Sequence, residues 1–93
     1  MQKIVNEGKW RYKDEFFEKI IIVEQDWDEF YEEGYSDFSP NLNEKGLVYF
    51  IHYGDYDYNE YNNISSKSIS APFLSQKDAE VFAENTVSDL IWI

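Results

Sequence analysis

Leu47-Val48-Tyr49-Phe50-Ile51-His52-Tyr53 (residues 47–53) is apolar at consecutive positions and rich in β-branched and aromatic residues. Successive strand residues point to opposite faces, so such a run predicts a strand covered on both sides. A second run, Ile20-Ile21-Ile22-Val23, lies inside Phe16 to Glu24 and predicts a central strand for the same reason. Upstream, Lys9-Trp10-Arg11-Tyr12-Lys13 alternates strictly, which puts both rings on one face of a strand and the three cations on the other. Asp14-Glu15 supplies a short polar turn between these two strands. Downstream of the turn-forming stretch Ser39 to Gly46 and the strand at 47–53, Gly54 to Asn63 reads as a polar, tyrosine-rich loop or hairpin tip. Ile64 to Ser70 follows as a serine-rich edge strand.

Ser75-Gln76-Lys77-Asp78 carries a helix start, with the Ser75 hydroxyl placed to accept an early backbone N–H and Asp78 near the positive end of the helix. Ala79, Phe82, Ala83 and Thr86 then recur at helical spacing as one packing face. Leu90-Ile91-Trp92-Ile93 is too apolar for a free tail and predicts a last strand or a plug against the core. The expectation is an α+β fold in a single domain spanning 1–93: an antiparallel sheet of four to five strands with one main amphipathic helix, about 75–88, on one face. Asp26 to Gly34 fits a turn or two of helix, through the spacing of Trp27, Phe30 and Tyr31, and fits a loop equally well.

Charge is distributed unevenly. The 93 residues carry a net −11, and residues 20–66 hold most of it, with Lys45 as their sole cation. Such a field repels phosphate, which argues against nucleic acid and anionic membrane as partners and favours a basic protein. The acids are interleaved with rings that offer contact area at low entropic cost. Asp26, Trp27, Asp28, Glu29, Tyr31, Glu32, Glu33, Asp37, Asp55, Tyr56, Asp57 and Tyr58 are therefore the candidate partner-binding residues. No cysteine is present, the N-terminal residues lack the apolar run of a signal peptide, and no apolar stretch is long enough to span a bilayer, which together lead to the expectation of a cytoplasmic protein.

Catalytic patterns are sparse, and the expectation is a protein that is not an enzyme. His52 is the single histidine, and within an apolar strand it reads as a hydrogen-bonded structural residue. Asp55, Asp57 and Asn59 open like a calcium loop, but Glu60 stands where that loop needs glycine and Ser66 where it needs glutamate, so no metal or other cofactor is expected. The same segment serves either as a solvated tip or as a set of tyrosine anchors beside carboxylates. Glu24, Asp26, Asp28, Glu29, Glu32, Glu33 and Asp37 offer carboxylates without a marked pair for acid–base work. Gly8, Gly34, Gly46 and Gly54 are too widely spaced for a phosphate-cradling loop. Trp10 and Tyr12 read as core packing.

In size, in its acidic aromatic middle region and in its C-terminal layout, the chain resembles the small acidic immunity proteins that bacteria make beside polymorphic or contact-dependent growth-inhibition toxins. That layout is Ser-Ile-Ser-Ala-Pro-Phe-Leu-Ser (68–75), a helix with Ala79 and Phe82-Ala83-Glu84, then Leu90 to Ile93. The resemblance implies a protein that binds one cognate toxin domain, commonly a basic nuclease, and blocks it; it implies no catalytic residue. A second reading of the same acidic surface is a DNA-mimic inhibitor of a nucleic-acid-binding protein, such as a phage-encoded one.

Overall fold

A computed structural model describes residues 1–13, 15–31 and 39–93 together with the backbone of Glu32. Strand β1 (Gln2–Tyr12) turns into β2 (Phe16–Gln25); the short helix α1 (Glu29–Glu32) follows, then β3 (Val48–Tyr58), β4 (Ile64–Ile69), helix α2 (Gln76–Thr86) and β5 (Ser88–Trp92). Every strand pairing is antiparallel, and the order across the sheet is β4-β3-β2-β1-β5. The expected α+β architecture is present, with the two β-branched runs at its centre. Ile20 to Val23 and Val48, Phe50 and Ile51 have no exposed surface at all.

Two layers of packing follow from the pleat. Ile20, Ile22, Tyr49 and Ile51 face α2, meeting Ala79 and Ala83, with Val5, Trp10, Tyr53, Phe73, Leu90 and Trp92 around them. Ser75 caps α2 as its sequence suggests, its hydroxyl accepting from the Asp78 N–H at 3.0 Å. The helical face is narrower than the spacing implies: Ala79 and Ala83 are buried, while Thr86 is exposed and Phe82 is partly so, lying 5.2 Å from the Phe73 ring. On the other face Ile21 and Val23 pack with Ile4, Tyr56 and Ile64, and Phe30 of α1 lies 6.1 Å from Phe50.

Of the two readings of Gly54 to Asn63, a loop or a hairpin tip, the structure has the hairpin, with its turn at 59–63 and not at Gly54. Strand β3 continues to Tyr58, and Gly54, at φ +84°, lies within an irregularity of the β3–β4 register. A positive φ is open to glycine without the Cβ clash an L side chain suffers, so the strand turns a corner instead of ending. Beyond that corner the β3–β4 hairpin contributes side chains to the face opposite α2. Ile64 packs there with Ile4, Ile21 and Val23, and its N–H donates to Gln2 Oε1 on β1 at 2.7 Å.

Strand β5 closes onto β1 at a point where a side chain has no room. A Cβ on Gly8 would fall 2.4 Å from the Ile91 carbonyl oxygen and 3.1 Å from Trp92. Arg11 reaches Asp89 at 3.2 Å, and Trp92 Nε1 donates to Glu84 at 3.1 Å, tying β5 to β1 and to α2.

Candidate binding surface

The acidic candidates separate into different environments. Asp26 is exposed and pairs with the N-terminal ammonium at 2.9 Å, a contact that holds its carboxyl below the usual value. Trp27 is half-buried, and Tyr31 is exposed. Glu29 accepts from Gln25 Nε2 at 3.2 Å. The side chain of Glu32, together with Glu33 and Asp37, lies outside the described residues.

Asp28 is a correction. It is 1% exposed and accepts from the N–H of Phe30 at 3.0 Å and from the backbone and side-chain amides of Asn41, each at 2.9 Å. A short acid preceding a helix satisfies N–H groups that have no helical partner, and here the same carboxylate also fastens residue 41 to the helix start. Asp28 therefore organises this region from within and presents no charge to a partner.

The projecting hairpin is the more open part. Asp55, Asp57, Glu60, Tyr58 and Tyr61 are exposed, with Tyr61 76% accessible and Tyr58 53%. Tyr56 sits deeper than Tyr58: it packs against the inner cluster with Ile21 and Ile64, is half-buried, and has the Lys19 ammonium 5.3 Å from its ring centroid. Asn59 shapes the tip, its Oδ1 accepting from the N–H groups of Tyr61 and Asn63. Asp55 and Asp57 lie in a strand, and Asn59 spends its side-chain oxygen on the turn, so the calcium-loop spacing does not produce a calcium loop. Among the described residues no group of three or more acidic, histidine or cysteine side chains converges as a metal site.

His52 is buried and structural. Ser66 Oγ donates to the Ser68 carbonyl at 3.0 Å, so its 2.7 Å contact with His52 Nδ1 makes that nitrogen the donor and leaves Nε2 as the unprotonated acceptor. Nε2 has no partner among the described residues. Burial lowers the pKa to about 4, which keeps the ring neutral near pH 7.

On the α2 side, beside Gly54, lies a groove of about 880 Å³. Trp10, Tyr12, Tyr53 and Phe82 supply its rings, with Glu18 and Asp55 beside Gly54. Trp10 stands edge-on to both tyrosines, at 5.4 Å from Tyr12 and 6.3 Å from Tyr53. Of the sequence candidates among the described residues, only Asp55 lines this groove. Trp10 packs against the core as read from the sequence, whereas Tyr12, read the same way, is exposed; both form the groove's wall, a role that alternation alone did not disclose. Comparison of the chain with protein-family models, curated proteins and solved structures finds no match. No helix among the described residues is long and apolar enough to cross a membrane.

Proposed function

We propose that this chain is an inhibitor that binds a basic protein domain, in the manner of the bacterial immunity proteins it resembles, and blocks a cognate toxin. The observation that carries this reading is the β3–β4 hairpin, where Tyr58 and Tyr61 stand exposed among Asp55, Asp57 and Glu60. Exposed rings among unpaired carboxylates suit a surface that is covered in a complex: the acids speed encounter with a cationic partner, and the rings slow its departure. Tyr31, exposed on α1, adds a further ring.

Isothermal titration against the C-terminal domain of a large exported protein encoded beside this chain, at low and at physiological salt, tests the reading. One-to-one binding that abolishes that domain's toxicity is the expected result. Absence of heat at both salts overturns it, and salt-sensitive competition with DNA for several unrelated basic proteins replaces it with DNA mimicry.

A further inference from the structure

We infer that the groove between β1, β3 and α2 seats an arginine side chain of the partner polypeptide, a step that rests on the binding reading above. Its walls are aromatic on three elements: Trp10 and Tyr12 on β1, Tyr53 on β3 and Phe82 on α2. Its acidic side is Glu18 with Asp55, and no ion pair or hydrogen bond holds either carboxylate to another described residue. The Glu18 carboxylate stands at the Gly54 corner, 3.3 Å from where a Cβ of that glycine would lie. Lys67, the single cation lining the groove, makes no ion pair with either acid.

Rings combined with unpaired carboxylates call for a flat cation. A guanidinium stacks on an aromatic face and offers a planar fork of N–H donors to a carboxylate, whereas an ammonium is more strongly hydrated and gives up more on entering. Rings on the chain carry cations of both kinds, so the preference for a guanidinium rests on its planar donors and weaker hydration. Lys9 and Arg11 lie over Phe17 at 5.1 and 5.2 Å, and Lys13 lies 5.2 Å from the centroid of Tyr12, one of the groove's walls. The volume exceeds one side chain and accommodates the adjoining backbone of a polypeptide. Burial pushes the Tyr53 phenol above its ordinary pKa.

The test is an NMR titration with N-acetyl-arginine methylamide, using the citrulline analogue as an uncharged isostere. Saturable shifts at the Trp10 indole N–H and at the backbone amides of Gly54, Asp55 and Phe82 are expected with arginine and not with citrulline. Glu18→Gln combined with Asp55→Asn, both at the rim, weakens the arginine response at least about fivefold and leaves the rest of the spectrum unchanged. Equal shifts from both probes, or arginine shifts confined to Asp57 and Glu60 with the groove silent, overturn the inference. The probe contains no toxin domain, so the two readings fail separately. A groove that takes arginine in a protein that ignores basic domains removes only the immunity reading. A basic domain that binds while the groove signals stay still removes only this inference.

Discussion

The imidazole of His52 gives its Nδ1 proton to Ser66 Oγ, 2.7 Å away, and Ser66 hands its own to the Ser68 carbonyl. This chain of donors fixes the tautomer, and burial in the strand interior disfavours the charged ring. The folded-state pKa near 4 lies below the ordinary value of 6.5, so the unfolded chain binds the extra proton between those pH values. Stability is therefore fully present above about pH 6.5 and falls as the pH drops toward 4, by at most about 3 kcal/mol. Urea denaturation at pH 7.5 and 4.5 measures the loss, and His52→Gln flattens that part of the profile; an unchanged slope in the variant refutes the assignment.

Gly8→Ala forces its methyl group into the Ile91 carbonyl oxygen. Backbone cannot yield as a side-chain tip can, so β5 shifts or detaches, at a cost of about 1–3 kcal/mol. Faster amide exchange at Ile91 and Ile93 than in the parent protein reports the detachment, since the Ile93 N–H bonds the Glu7 carbonyl at 2.8 Å.

Asp28→Ala removes the hydrogen bonds that the carboxylate accepts from the Phe30 N–H and from both Asn41 amides, and unfastens residue 41 from the helix start. The expected destabilisation is about 1–3 kcal/mol by chemical denaturation. Asp28→Asn retains one acceptor oxygen and falls between the parent and the alanine variant; a neutral alanine variant means that the carboxylate does not organise this region.

At the hairpin, speed and tightness separate. Neutralising Asp55, Asp57 and Glu60 together slows association with a basic partner at low salt by about tenfold and changes dissociation little. Tyr61→Ala does the reverse, hastening dissociation. Stopped-flow and surface-binding kinetics distinguish the two, and an association rate indifferent to the charge change defeats the steering argument.

Where structure follows from neighbouring residues, the sequence was legible: the β-branched runs at Ile20 and Val48, the Ser75 cap and the apolar end at Leu90 each became the element they imply. Gly54 misled because glycine marks a break and a strand corner alike, and only its pairing partners decide between them. Asp28 looked like its acidic neighbours because its burial depends on Asn41, thirteen residues away. The groove was hidden for the same reason, being assembled from Trp10, Glu18, Tyr53 and Phe82 on four separate elements. Local periodicity carries no information on such a meeting.

The order β4-β3-β2-β1-β5 places the first and last strands side by side. The β1–β2 and β2–β3 pairings join near neighbours, but β1 waits for the whole intervening chain before its outer edge is covered. Contacts between such distant segments form late and slow the overall reaction, so the β1–β2–β3 meander is the natural nucleus and β5 docking the closing event. During synthesis the unpaired edge of β1, with Trp10 and Tyr12 on one face, is the surface most open to unwanted strand pairing.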